Sequence, residues 1–210
     1  MSERAIFLDR DGTLVYPCHY PSRPEHLRLF PDIGAGLRLL QGAGFRLIVI
    51  TNQSGIARGL FDEHDLNLMH ESLRHDLGDL GVTLDGIYYC PHHSEGVIPE
   101  FAMECSCRKP RPGMLQRAAA DRNIDLERSW FLGDILDDVE AGNRAGTRTI
   151  LLDLDTESVP SSAIRRPSYV AQNSNQALGI VGAIEGLGCI ADLTYLPTAW
   201  GSRGAIHAGH

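Results

Sequence analysis

No apolar run in this 210-residue chain approaches the roughly 20 residues that a membrane-crossing helix requires. No membrane partner is therefore expected. The polar start Met1-Ser2-Glu3-Arg4 leads straight into the first apolar stretch. That leaves no room for a signal peptide, and a cytoplasmic enzyme is the expectation. Basic charge is also short, with 19 Lys and Arg against 27 Asp and Glu and a net charge of -8. A phosphate-backbone binder needs a basic footprint, so nucleic acid is not expected as a partner. The five cysteines, Cys18, Cys90, Cys105, Cys107 and Cys189, are an odd number and do not make a complete disulfide framework. Three of them lie near histidines, which in a cytosolic chain favours metal binding. Internal repeats and interdomain linkers are absent.

What is present is an ordinary globular composition, 43% hydrophobic and 22% charged, with length enough for one core. Short β-rich runs alternate with amphipathic stretches, which predicts an α/β fold with a mostly parallel sheet. Strands are expected at Ala5–Leu8, Phe45–Ile50, Gly86–Tyr89, Ser129–Leu132 and Thr147–Leu152, with a weaker one at Tyr169–Ala171. Ile33, Leu37 and Leu40 fall at helical spacing, as do Leu66, Met69, Leu73, Leu77 and Leu80 after a capping Asp62. Met114–Arg122, Leu136–Ala145 and Gln176–Ile184 complete the helices. Tyr195, Trp200, His207 and His210 form no chemical pattern, so residues 187–210 read as a tail behind one domain over 1–186.

Ligands of open α/β sheets bind beyond the carboxyl ends of the strands. Four segments of this chain put polar residues there. The first strand runs into Asp9-Arg10-Asp11-Gly12-Thr13, whose carboxylates alternate onto one side if the strand continues. The second ends in Thr51-Asn52-Gln53-Ser54-Gly55, a source of hydroxyls and backbone N–H groups. Arg108-Lys109-Pro110 brings positive charge before a helix. A fourth strand ends in Gly133-Asp134, with Asp137 and Asp138 a helical turn further on. Singly, Thr51 serves as well as a cap, Lys109 as a solvated charge and Asp134 as an N-cap. Together, and in this order, they specify a phosphate-transfer site.

A second cluster comprises Cys90-Pro91-His92-His93 and Cys105-Ser106-Cys107. Ligand pairs at the two ends of a loop suit a closed tetrahedral zinc site. Cys90, His92, Cys105 and Cys107 fill four positions, so the zinc is expected to be structural, with His93 as the competing fourth ligand. The connections Asp11-to-Thr51 and Thr51-to-Lys109 have no room for a separate cap domain. Substrate must then be met by short loops, with the zinc loop as a wall.

The order Asp-x-Asp-Gly-Thr, Thr-Asn-Gln-Ser, Arg-Lys and Gly-Asp resembles the haloacid dehalogenase superfamily over roughly residues 4–153. The resemblance implies a capless three-layer Rossmann-like sandwich. It also implies that Asp9 attacks phosphorus and that Asp11 protonates the leaving oxygen, its pKa raised by a neighbouring carboxylate. Mg²⁺ would be held by Asp9, Asp134 and the backbone carbonyl of Asp11, and Thr51 and Lys109 would stabilise the phosphoryl oxygens. TNQSGIARG at 51–59, DGIYYCPHH at 85–93 and CSCRKPRPGM at 105–114 are similar to the group of D-glycero-D-manno-heptose-1,7-bisphosphate 7-phosphatases. Zinc-containing histidinol-phosphate phosphatases are the neighbouring alternative, and a catalytically silent zinc-stabilised binding module is the reading from another class. The group implies a small sugar phosphate as substrate, contacted by Tyr20, Thr51, Asn52, Gln53, Ser54, Arg108 and Lys109. A monomer or weak homo-oligomer is expected. Two positions depart from the group: Val15 where Asn is common, and Ile135 where Lys is usual. Loss of that cation should weaken or alter substrate binding.

Overall fold

Residues Ala5 to Leu8 alternate between two apolar faces, and that alternation locates the sheet. In a computed structural model, which describes residues 2–188, they lie in strand β1 (Arg4–Leu8). Ala5 and Phe7 pack with Met114, Leu115 and Ala118 on one side, whereas Ile6 and Leu8 join Leu37, Leu66, Leu73 and Leu178 on the other. Strand β2 (Phe45–Asn52) repeats the division, with Ile48 and Ile50 on the first face and Leu47 and Val49 on the second. A strand apolar on both faces is the signature of a covered parallel sheet. Each fully buried side chain of this size contributes about 1.5–3 kcal/mol.

Four more strands complete the sheet: β3 (Gly86–Cys90), β4 (Trp130–Gly133), β5 (Arg148–Leu152) and β6 (Tyr169–Ala171). Their order is β3-β2-β1-β4-β5-β6, and every pairing is parallel. The chain moves outward from β1 through β2 to β3, then returns to place β4 on β1's other edge. The topological switch point therefore lies between β1 and β4, where a crevice opens at the carboxyl ends. A backbone bond from Asp9 N–H to Leu132 C=O, 2.9 Å, spans it.

Helices α1 (Ile33–Gly42), α2 (Glu63–Asp79) and α5 (Ser174–Ile184) carry residues of the larger core, while α3 (Gly113–Arg122) and α4 (Leu136–Ala145) cover the opposite face. Asp62 caps α2 as its position suggests: its side chain accepts from Asp65 N–H, and Asp65 returns the bond to Asp62 N–H. Two strands begin one residue later than their sequences suggest. Ser129 Oγ takes over the bonding of Ala5 N–H at 2.9 Å, and Thr147 turns its hydroxyl to Gly142 C=O at 3.1 Å. Among the described residues no helix is long and apolar enough to cross a membrane. The expected tail features at Tyr195, Trp200, His207 and His210 lie outside the described residues.

Candidate active site and metal centres

The first strand ends at Leu8, so simple strand alternation does not govern Asp9 and Asp11. Asp9 follows the strand into the crevice and is buried. Lys109 arrives from the loop before α3, also buried, and its Nζ lies 2.6 Å from Asp9 Oδ1, 2.6 Å from Asp138 Oδ1 and 3.0 Å from Ile50 C=O. Neither surface solvation of Lys109 nor capping by Asp134 survives in the structure, since the α4 N-cap is Ile135. One oxygen from each of Asp9, Asp134 and Asp138 lies within 4.8 Å of the others.

Close approach depends on two glycines. A Cβ on Gly12, which sits at φ +84°, would lie 2.1 Å from Asp134 Oδ2, and one on Gly133 would lie 2.3 Å from Asp138 Oδ2. Burial pushes the Asp9 carboxyl up to about 7, with Lys109 pulling against Asp138 and Asp11. Burial and the fields of Asp9 and Asp138 push Asp134 up to about 8, and burial also raises Asp138. Burial alone would lower Lys109, but Asp138 and Asp9 reverse this and raise it. Three carboxylates thus face one ammonium, and the surplus negative charge is costly without a counter-ion. A hard divalent cation with oxygen ligands fits this donor set, and Mg²⁺ is the expected ion.

Asp11 lies outside that trio and beyond the end of β1, so its carboxyl is placed by the turn that follows and not by strand alternation. Its Oδ2 accepts from Arg10 Nε at 3.0 Å, Arg10 Nη2 at 2.8 Å and Gln53 Nε2 at 3.1 Å. Its nearest charge is therefore a guanidinium, and among the carboxylates Asp138 acts on Asp9 more strongly than Asp11 does. Asp11 Oδ1 is buried without a hydrogen-bond partner among the described residues, so one oxygen is fixed and the other is not. The same Gln53 amide donates to Thr51 Oγ1 at 2.8 Å, which links the second-strand segment to Asp11. Asn52 exchanges two bonds with the backbone of Lys109, 3.2 Å to its C=O and 3.1 Å from its N–H. The Thr51–Gln53 segment therefore holds both the ammonium-bearing loop and the Asp11 carboxylate.

The cysteine cluster also assembles. Cys90 Sγ is buried at the end of β3, and Cys105 and Cys107 approach it at 3.5 and 3.3 Å, with 3.2 Å between them. His92 Nδ1 stands 3.6 Å from Cys90 Sγ and 3.4 Å from Cys107 Sγ. A tetrahedron with bonds of about 2.3 Å has edges near 3.8 Å, so these four atoms need little expansion to enclose zinc. Contact with Cys90 pulls the Cys107 thiol down to about 5, toward the thiolate that binds metal. The same contact, together with burial, pushes Cys90 the other way, so the proton concentrates there. His93 is not in the cluster: its Nδ1 accepts from Glu95 N–H at 3.1 Å and its Nε2 faces Arg58.

The remaining candidates lie around these two centres. Arg108 N–H points to Cys105 Sγ at 3.3 Å, and its guanidinium reaches His92 C=O at 3.4 Å, so it borders the cysteine cluster. Tyr20, at φ +48°, stacks edge-on with His19 over a cleft shared with Arg58. Ser54 C=O accepts from Arg58 N–H at 3.1 Å. Val15 is fully buried and closes the turn that carries Asp11, its N–H bonding Arg10 C=O at 3.0 Å. Ile135 starts α4, its N–H donating to Asp138 Oδ2 at 3.3 Å. Two participants have little sequence signal. Asp138 looks like an ordinary first-turn carboxylate, and Arg10 occupies the position between the two aspartates yet is fully buried and bonds Asp11.

Comparison with known proteins places this geometry among characterised relatives. A family model described as HAD-hyrolase-like matches residues 106–177. The chain is 44% identical over 153 residues to a D-glycero-beta-D-manno-heptose-1,7-bisphosphate 7-phosphatase of Haemophilus ducreyi, covering 72% of this chain and 84% of that one. It is 44% identical over 148 residues to the Escherichia coli K12 protein of the same name, covering 70% and 78%. Among solved structures it resembles the D,D-heptose 1,7-bisphosphate phosphatase of B. bronchiseptica complexed with magnesium and phosphate. That likeness has a TM-score of 0.73 at 28% identity and covers 86% of this chain and 99% of the other.

Proposed function

The chain belongs to the haloacid dehalogenase-like hydrolases and is a phosphoric monoester hydrolase, and from that premise we propose that it removes the 7-phosphate of D-glycero-D-manno-heptose 1,7-bisphosphate. The observation that carries the reading is the buried Asp9–Lys109 pair, 2.6 Å apart, facing Asp134 and Asp138 at the switch point of the sheet. It supplies a nucleophile and a fixed cation at one spot, as hydrolysis of a dianionic ester requires. Relatives named for this sugar at 44% identity support the substrate.

In this mechanism an Asp9 carboxylate oxygen attacks phosphorus while the ester P–O bond breaks, giving an aspartyl phosphate. Asp11 gives its proton to the departing sugar oxygen. It then takes one from a water whose oxygen attacks phosphorus, releasing inorganic phosphate and regenerating Asp9. Arg10 and Gln53 hold Asp11 Oδ2 so that Oδ1 does this exchange. Lys109 and Thr51 stabilise the transferring phosphoryl oxygens, and Asn52 fixes the Lys109 backbone. Ser54, Tyr20 and Arg108 contribute to substrate recognition around the entrance. Asp9 and Asp134, with Asp138 beside them and the Asp11 backbone carbonyl, would hold Mg²⁺, which would supply charge neutralisation for the phosphoryl group. Cys90, His92, Cys105 and Cys107 would hold a structural zinc, which would steady the loop that leads to Lys109. Thiolate ligands suit a reducing compartment, so we assign the protein to the cytoplasm.

Phosphate release from a panel of sugar bisphosphates with Mg²⁺ tests the reading. Heptose 1,7-bisphosphate should be the best substrate by kcat/KM, above histidinol phosphate. Preference for histidinol phosphate would move the protein to the neighbouring activity, and a folded protein that released no phosphate from any ester would sink the enzyme reading.

A further inference from the structure

The buried face of α2 is an apolar stripe at helical spacing, Leu66, Met69, Leu73 and Leu77, with one polar exception at position 70. His70 lies in that stripe, only 7% exposed, among side chains that need no hydrogen bond. Its ring packs at a tilt of 55° against Tyr89, with centroids 5.7 Å apart. Tyr89 pairs in register with Thr51, so the imidazole lies beside the strand pair that ends in the Thr51–Gln53 segment. We infer that His70 is a positioning residue: its Nε2 completes the hydrogen bonding of the Arg10 guanidinium and so fixes the Asp11 carboxyl that protonates the leaving group. This rests on the acid role given to Asp11 above and adds a residue outside the reacting centre.

The argument begins with two hydrogen-bonding atoms of opposite need. Arg10 is fully buried, and a guanidinium has donors only. Its Nε and Nη2 donate to Asp11 Oδ2, at 3.0 and 2.8 Å. Its Nη1 is buried with no hydrogen-bond partner among the described residues, and so is His70 Nε2. Nη1 must donate, and Nε2 of a neutral imidazole protonated at Nδ1 accepts. Burial, and then the charges of Arg10 and Arg74, push the imidazole down to about 3, so the ring is neutral around pH 7.

Of the two cations, Arg10 acts on His70 more strongly, and Arg74 Nη1 is already engaged by Leu84 C=O at 2.9 Å. No direct hydrogen bond joins Arg10 Nη1 to His70 Nε2. One bridging water, accepting from the first and donating to the second, satisfies both, and leaving either atom open is costly. The consequence is mechanical. A guanidinium tied only to Asp11 can swing together with it. One anchored at Nη1 as well holds Asp11 Oδ2 in place, with Gln53 Nε2 as the other tether at 3.1 Å.

The test is the dependence on leaving group. Phenyl phosphate needs a proton on its departing oxygen, whereas p-nitrophenyl phosphate releases a weakly basic phenolate without one. His70→Phe keeps a ring against Tyr89 and removes the acceptor. Its kcat/KM should fall about tenfold for phenyl phosphate and less than about twofold for p-nitrophenyl phosphate. His70→Leu, which matches the rest of the stripe, serves if the Phe ring does not fit, and thermal melts show which variants are folded. His70→Gln returns an acceptor and should recover part of the loss. Arg10→Met should show the same selectivity, and adding His70→Phe to it should cost nothing further. Equal losses on both esters, no loss, or losses that add to those of Arg10→Met would overturn the inference. Asp11→Asn tests the acid role by itself: if it slows both esters alike, that part of the proposed function fails, and the cycle with Arg10 still decides the His70 link.

Discussion

Two clusters of would-be metal ligands stand at the carboxyl ends of strands of one sheet, separated by β2, and they differ in what holds them. Asp9, Asp134 and Asp138 extend from β1 and β4 and the start of α4, with Lys109 already among them as a cation. Cys90 extends from the edge strand β3, but His92, Cys105 and Cys107 come from loop. The acidic cluster is shaped by the fold before any ion arrives, at an electrostatic cost borne by the sheet. In the sulfur cluster three of the four ligands come from loop, and the proposed zinc would fix their arrangement. A site that must admit substrate and release product benefits from scaffolding that persists without its metal. A loop with no such task can leave its folding to coordination.

The largest expected effect separates chemistry from shape. Asp9→Asn should lower kcat by at least about a thousandfold, measured as phosphate release, because no carboxylate then attacks phosphorus. Its zinc content by elemental analysis should equal that of the wild type, and full activity in this variant would exclude the covalent route. Lys109→Met comes next. It leaves Asp9 and Asp138 buried without their ammonium, and breaking such a pair costs about 3–5 kcal/mol in unfolding free energy. Denaturant titration with and without Mg²⁺ should show the ion recovering part of that loss.

Withdrawing the two metals should give opposite signatures. Brief EDTA treatment should abolish turnover reversibly with a small change in melting temperature. Stripping zinc under denaturing chelation, or Cys107→Ser, should lower the melting temperature by ~5–15 °C, since loss of a few kcal/mol shifts a domain of this size by that amount. Equal melting curves after both treatments would erase the distinction.

The metal-free acidic cluster has its own pH dependence. Asp9 and Asp134 sit near 7 and 8 when folded, against 3.8 for an unperturbed carboxyl. The folded state thus holds protons that the unfolded chain has released, and stability falls as pH rises from about 4 to 8. Melting temperatures in EDTA should decline across that window, and added Mg²⁺ should flatten the decline. The smallest effect lies far from both clusters: Asp62→Ala removes the α2 cap and should cost about 1 kcal/mol with kcat unchanged.

Much of this molecule is legible in its sequence because strands apolar on both faces and helices with regular apolar spacing have distinct periods. Asp62 is readable as a cap for the same local reason. The chemistry is legible where a residue type is unusual for its place, as with Lys109 and the cysteines. Asp138 is not, because an aspartate in a first helical turn is ordinary and only the arrival of Lys109 from a loop 29 positions earlier makes it a buried partner. Arg10 is hidden because its alternating position suggests solvent, whereas the chain leaves the strand at Leu8 and turns the guanidinium inward to Asp11.

The pairing of β1 with β4 also sets a schedule. Ala5 N–H is bonded to Ser129 Oγ across 124 positions of chain, and Asp9 meets Asp134 just beyond. Contacts this distant in sequence close late, and a chain is made from its N-terminus at a finite rate. Asp9, the proposed nucleophile, is therefore synthesised early and spends most of translation without its partners. On the proposed mechanism no nascent chain acts on a phosphate ester before Asp134 has left the ribosome, so catalytic competence waits on a segment made long after Asp9.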